Sequence, residues 1–371
     1  PMFISTDIPA GNGVVVDQDG DRIILRSDLR GNAAWWFYWH VALRRAAGRT
    51  VEICFRDRPG FGPAGFAESR DQGRTWSWRS AEDTHRAIIT VGDCDDLRLS
   101  MTMPYVRADL NAAVADLPGL TVAELCRSAA GRHVPVLLAG PEPSQAQAQI
   151  VLTARHHCCE TMASFVLDGC LRAWLTDPAF TSLRGQVAIV AVPFIDADGV
   201  EEGDQGKMRA PFDHNRSYAS DRHVETVALR HLVDGTDRVH LPTWSIDLHC
   251  PYLLGGNNEE IFLVGSGDPR NAAAQTRFAA TLAEVAEADF GFRAGDIFPH
   301  GVGWNTTPVA ERKSCGAWFA LRPACALSAT LEIPYGKCRG EPLTAASSRR
   351  FGALLARSLA RSVARRDAGV A

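Results

Sequence analysis

The chain of 371 residues is marked first by what it lacks. No apolar run approaches the ~20 residues that a membrane helix needs. The first residues, Pro1-Met2-Phe3-Ile4-Ser5-Thr6-Asp7, hold no basic segment followed by an apolar stretch, so no secretory signal is expected. There is no excess of basic charge: the net charge is −4 and charged residues make up 22%, which argues against nucleic acid as a partner. No internal repeat is visible. The ten cysteines have no regular spacing, and in a chain without a signal they read as reduced thiols of a cytoplasmic protein. Apolar residues are plentiful, at 46%, and the length suits about two domains of ~150 residues each.

Two textures follow one another. Residues 1–104 carry short apolar segments between Gly, Asp and Pro turns, among them Gly13–Val16, Arg22–Leu25, Trp35–Trp39, Thr50–Phe55 and Arg86–Val91. Alternation and aromatic enrichment predict strands, and their close spacing predicts a β-sandwich with the Trp35–Trp39 cluster in its core. From residue 105 helices and strands alternate. Ala108–Asp116, Thr121–Ala130, Glu160–Leu175, His223–Val233, Asn271–Ala288 and Ala345–Arg365 read as helices. Val134–Ala139, Gln149–Arg155, Val187–Phe194, Val239–Leu248, Ile261–Val264 and Ala329–Ile333 read as strands. This order predicts a mixed α/β sheet covered on both faces.

The chemistry concentrates at three strand ends. His157 and Glu160 form a His-x-x-Glu pair between an apolar strand and a helix, so one turn of backbone aims an imidazole and a carboxylate at one point. Zinc takes such donors, and a catalytic zinc keeps three protein ligands and one open place. His249 closes an apolar run and is the third candidate, with Asp247 two residues earlier placed to orient it. Glu332 interrupts another buried-looking strand, which is costly unless the carboxylate is paired or functional, and is the candidate general base. Asn215 and Arg216 offer donors suited to a carboxylate. Cys158 and Cys159 read as apolar filler.

These motifs, taken in order, resemble the funnelin-type zinc metallocarboxypeptidases, and most closely their cytosolic carboxypeptidase-like branch. Pro104-Tyr105 with Ala108-Asp109-Leu110 is similar to that branch's joining segment after an N-terminal β-sandwich, and residues 155–164 to its Arg-x-His-Pro-Gly-Glu-Thr-x-Ala-Ser signature. Residues 192–200 resemble its Asn-Pro-Asp-Gly turn, and Asn215-Arg216, Asp247-Leu248-His249 and Thr330-Leu331-Glu332 its remaining motifs. The resemblance implies an N-terminal β-sandwich, 1–104, before a mixed eight-stranded α/β catalytic domain, 105–371. It implies one zinc held by His157, Glu160 and His249, with Glu332 as base and then acid. It implies a peptide or protein C-terminus as substrate, its carboxylate held by Asn215 and Arg216, with Arg155 of the signature counted among the substrate-binding residues.

The departures are specific. Cys158-Cys159 replaces Pro-Gly, and Asp196-Ala197 replaces Asn-Pro. The family's carbonyl-polarising Arg falls on Gly206, leaving Lys207 and Arg209 as neighbours that could substitute. No Tyr lies between Tyr252 and Tyr335, so the substrate-binding Tyr is absent or replaced by Tyr252, Trp304 or Trp318. Lys207, Arg209, Arg312, Lys313 and Arg322 are the candidates for a basic pocket floor that would select acidic C-terminal residues. Two other readings stand beside the peptidase: an amidohydrolase of small acyl-amino acids, and a binding module on a non-catalytic scaffold. The oligomeric state and the role of the sandwich are open.

Overall fold

A computed structural model describes residues 1–32 and 34–367. The N-terminal strands are β1 (Phe3–Ser5), β2 (Val14–Asp19), β3 (Arg22–Arg26), β4 (His40–Arg44) and β5 (Thr50–Phe55). They continue with β6 (Phe66–Ser69), β7 (Ser77–Arg79), β8 (Arg86–Thr90) and β9 (Asp96–Ser100). They form two sheets, β1-β4-β9-β6-β7 and β2-β3-β5-β8. Burial alternates along β5 and β8, so that Val51, Ile53, Phe55, Ala87 and Ile89 point inward. This is the period of a strand with one covered face.

Trp35–Trp39 is not a strand. Its backbone finds no sheet neighbour at Tyr38, whose N–H donates to the Gln205 side chain at 2.7 Å. Phe37, Tyr38 and Trp39 are buried, while Trp35 and Trp36 are half-buried.

The second part begins with α1 (Arg107–Val114) and holds β10 (Leu120–Arg127), β11 (His133–Ala139), β12 (Ala148–Ala154), β13 (Val187–Val192) and β14 (Thr243–His249). β15 (Phe262–Val264), β16 (Ile297–Phe298) and β17 (Cys325–Glu332) complete an eight-stranded mixed sheet of order β10-β11-β13-β12-β14-β17-β15-β16. Around it lie α2 (Thr161–Thr176), α3 (Thr181–Arg184), α4 (Ala197–Glu202), α5 (Val224–Asp234), α6 (Pro269–Phe290), α7 (Cys315–Ala320) and α8 (Ala345–Asp367). β12, β13 and β14 are buried along their whole length, as expected of parallel strands covered on both faces.

The helix expected over Thr121–Ala130 is instead β10, paired antiparallel with β11. A bulge between Glu124 and Cys126 slips the two-residue alternation there, and the slipped pattern mimics helical spacing. The other elements fall within a few residues of their expected bounds.

β12, β14 and β17 run parallel and end at one edge of the sheet. The register sets Ala154 beside Leu248 and His249 beside Glu332. Groups that leave these carboxyl ends therefore converge. The buried apolar residues of both parts form one continuous cluster. Among the described residues, no helix is long and apolar enough to cross a membrane, and all ten cysteines are unpaired.

Candidate active site

The chain turns sharply as it leaves β12. Arg155 takes a φ of +60°, a conformation that costs a branched or long residue energy unless its surroundings hold it. They do: its Nε donates to the Cys158 carbonyl at 2.7 Å, and Nη1 donates to the Tyr105 carbonyl at 3.0 Å and to Ser164 Oγ at 3.1 Å. Arg155 is thus a buried brace that shapes the 155–160 turn, and it does not line the cavity. The expectation that it binds substrate is corrected: its donors are spent on the fold.

The turn delivers His157 and Glu160. His157 Nδ1 lies 2.7 Å from Glu160 Oε1, and His249 Nδ1, from the end of β14, lies 2.7 Å from Glu160 Oε2. One donor atom from each of the three residues lies within 4.8 Å of the others. The far nitrogens are also held. His157 Nε2 is 3.2 Å from Asp213 Oδ1, and His249 Nε2 is 2.8 Å from Asp247 Oδ2. A carboxylate on Nε2 keeps the proton there and leaves the Nδ1 lone pair facing inward, the arrangement found around ligating histidines. Asp247 is further fixed by Thr153 Oγ1 at 2.7 Å, and its Oδ1 lies 2.9 Å from His156 Nδ1. Two nitrogens and a carboxylate, all buried and oriented from behind, suit a zinc ion.

Burial works against the charge of Glu160, but the two imidazoles outweigh it and hold the carboxyl below its usual range. The same balance, with His156 and His249, lowers Asp247. Glu332 differs. Burial pushes its carboxyl up to about 7, and Oε2 has no partner.

A cavity of about 500 Å³ opens over this edge, lined by His157, Glu160, His249 and Glu332 together with Lys207, Asn215 and Arg216. The 213–216 turn is capped by the Asp213 side chain, which accepts from Asn215 N at 2.8 Å. Asn215 Oδ1 accepts from Cys315 N at 2.9 Å, and its Nδ2 lies 3.1 Å from His249 Nε2. Arg216 spends one donor on the Asn215 carbonyl at 2.9 Å.

Arg209 is not in the cavity. It pairs with Asp204 at 2.6 Å and Asp196 at 3.4 Å, so its expected substrate role is corrected as well. Arg312, Lys313 and Arg322 also lie outside the lining; Lys313 pairs with Glu311, and Arg322 with Asp234. Tyr252 and Trp304 reach the cavity and Trp318 does not. Cys158 and Cys159 are buried, and burial raises both thiols, Cys159 to about 12, which keeps them neutral.

Several lining residues had no signal in the sequence. Trp36 comes from the N-terminal part, and Asn271, Gln275, Ser328 and His300 come from a helix, a strand and a loop that meet only in the fold. For Trp36, the aromatic run was visible, but nothing marked which ring would leave the core.

Comparison with known proteins gives a consistent answer. A metallo-carboxypeptidase from Burkholderia cenocepacia superposes with a TM-score of 0.77 at 21% identity, covering 98% of this chain and 99% of that one. A metallo-carboxypeptidase from Pseudomonas aeruginosa, in complex with (2-guanidinoethylmercapto)succinic acid, gives 0.79 at 19% identity, covering 97% and 99%. This chain has the metallo-carboxypeptidase fold. The likeness includes the N-terminal sheets, since nearly the whole of each chain is matched. In sequence, cytosolic carboxypeptidase 2 of Danio rerio is 28% identical over 179 residues, 46% of this chain. The aligned part is about a quarter of that relative's length, 25%. No family model matches the chain.

Proposed function

We propose that the chain is a zinc-dependent carboxypeptidase that hydrolyses the last bond of a peptide and releases one amino acid. The observation that carries this reading is Glu332: a buried carboxyl with a free oxygen, in register beside His249, at the rim of three converging donors. A structural carboxylate at such depth would be paired.

His157, Glu160 and His249 would hold the metal. Zinc bound there supplies Lewis acidity, which acidifies water and polarises a carbonyl. Glu332 takes a proton from the attacking water, whose oxygen bonds to the carbonyl carbon. It returns the proton to the amide nitrogen as the C–N bond breaks, so that the amine leaves neutral. Arg216 and Asn215 hold the terminal carboxylate. Lys207 faces the carbonyl oxygen as negative charge develops, in place of the arginine that Gly206 cannot carry. A Cβ on Gly206 would stand 2.3 Å from Cys158 N, and its φ is +86°.

The leaving residue has a neutral side chain. A recess runs down β17 from Glu332 past Thr330 to Ser328, about 13 Å at ~3.3 Å per residue. Its walls add Gly316, Ala317, Asn271 and Gln275, none of them charged. The two amides serve the backbone: Asn271 brackets Ser328 N and O, and Gln275 bonds Ser266 N, Val264 O and Ser328 O. A charged side chain would lose its water there and meet no counter-ion, at a cost of several kcal/mol. This replaces the acidic preference expected from a basic floor.

Carboxypeptidase names on neighbours that match the sandwich as well as the catalytic sheet support a peptidase over an acyl-amino-acid hydrolase. Residues 1–104 and 105–371 are proposed as the two units, and the cytoplasm as the setting. The test is Glu332→Gln, with activity on short peptides and bound zinc measured together. Turnover should fall about 10²- to 10⁴-fold while zinc stays bound. Surviving turnover would remove Glu332 from the mechanism.

A further inference from the structure

The 203–210 segment carries Lys207. It lies between two surfaces. On one side Gly206 packs so closely on the metal-binding turn that a Cβ would meet His157 Cα at 2.7 Å. On the other side Gly203, with φ +72°, packs so closely on the N-terminal part that a Cβ would meet the Ala10 carbonyl oxygen at 2.4 Å. The segment is a spacer one backbone thick between the sandwich and His157.

On the catalytic side the Asp204 carbonyl accepts from Cys158 Sγ at 3.0 Å and Arg209 pairs with Asp196, but several of its polar groups are taken up by the sandwich. Gln205 is fully buried; its Oε1 accepts from Tyr38 N at 2.7 Å, and its Nε2 donates to the Tyr38 and Asp28 carbonyls at 2.8 and 3.0 Å. Asn12 Nδ2 donates to the Gly203 carbonyl at 2.9 Å, and Arg30 Nη1 to Asp204 Oδ1 at 2.8 Å. Asn32 Nδ2 donates to the carbonyl of Lys207 itself at 2.5 Å, and Ala210 N donates to the Gly31 carbonyl at 3.2 Å. Asn32 also bridges Arg209 along the backbone. The same stretch then sends Trp36 into the cavity wall.

We propose that the N-terminal sandwich is a positioning part of the hydrolytic site: through Asn32 and Gln205 it fixes the 203–210 segment so that the Lys207 ammonium meets the substrate carbonyl. This rests on the carboxypeptidase reading and on Lys207 serving the carbonyl. Asn32 touches no substrate and acts through Lys207. A partner-recruiting module would need no such lattice of bonds to the cavity loop. A glycine at 206 also explains why the lattice is required: the cation is displaced by one residue onto a left-handed turn, and the turn needs outside support to hold a long side chain in place.

The experiment is a double-mutant cycle on the full-length, zinc-loaded chain, with a short neutral peptide as substrate. Lys207→Ala should lower kcat by about ten- to a thousand-fold. Asn32→Ala should lower kcat by about two- to ten-fold, the worth of one hydrogen bond, with KM and zinc content unchanged and only a small fall in melting temperature. In the Lys207→Ala background, Asn32→Ala should have no further effect on kcat. If Asn32→Ala does not fold, Asn32→Leu keeps the volume, removes the donor without adding a charge and is read in the same way. Unchanged kcat in the Asn32 variant, or full additivity with Lys207→Ala, overturns the positioning role while the carboxypeptidase reading stands. Absence of peptide turnover in the parent enzyme overturns that reading, and the inference with it.

Discussion

Adding one methyl group to Gly206 is the sharpest perturbation of this site that changes none of the proposed functional residues. The φ of +86° costs an alanine about 1–2 kcal/mol. The new Cβ would stand 2.3 Å from Cys158 N and 2.7 Å from both the carbonyl carbon and Cα of His157. Ordinary contacts begin near ~3.5 Å, so about 1 Å of movement is demanded. The atoms in the way are backbone, and they belong to a proposed metal ligand, His157, and to the residue after it. Overpacking of this kind costs about 1–3 kcal/mol, which brings the total to about 2–5 kcal/mol. Metal sites tolerate only about ±0.2 Å in ligand distance. Gly206→Ala should therefore bind zinc at least about ten- to a hundred-fold more weakly, as when an outer support of a ligand is lost. The assay is a zinc titration against a competing chelator, with thermal melts with and without zinc. Unchanged zinc affinity would refute the claim that this segment presses on His157.

Two further predictions follow from other residues. Arg216→Ala should raise KM by about ten- to a hundred-fold with a smaller change in kcat, because a charge-assisted contact to the terminal carboxylate is lost; steady-state kinetics on one peptide decide it. His40 is buried in the sandwich beside Arg98, and burial first, then Arg98, lowers its imidazole to about 3. A folded value below the unfolded one means that the folded state binds fewer protons in acid. The contribution is complete above pH ~6.5 and is lost as the pH falls through 3, by about 5 kcal/mol at most. Denaturant unfolding at pH 7 and pH 4 should show this loss in the parent and a smaller one in His40→Gln.

Much of this arrangement was legible in the chain, for identifiable reasons. His157 and Glu160 sit three residues apart and His249 closes an apolar run, so local spacing and strand polarity were enough to bring them to one edge. Glu332 stood out because a lone carboxylate in a buried strand is expensive. What stayed hidden depends on contacts between distant segments. Arg155 and Arg209 looked like ligand-binding cations, but their partners, the carbonyls of Cys158 and Tyr105 and the carboxylates of Asp204 and Asp196, are visible only once the turns are folded. The uncharged recess has the same origin, since Asn271 and Ser328 meet across 57 positions of sequence. The helix misread at Thr121 reflects a bulge, which no residue type announces.

The most direct test of the central claim is to measure metal content of the purified protein together with hydrolysis of a small peptide library varied at its C-terminal residue, before and after chelation. One zinc per chain is expected, with release of single, neutral C-terminal residues, abolished by the chelator and restored by zinc. Zinc bound without any peptide release, or release indifferent to the chelator, would contradict it.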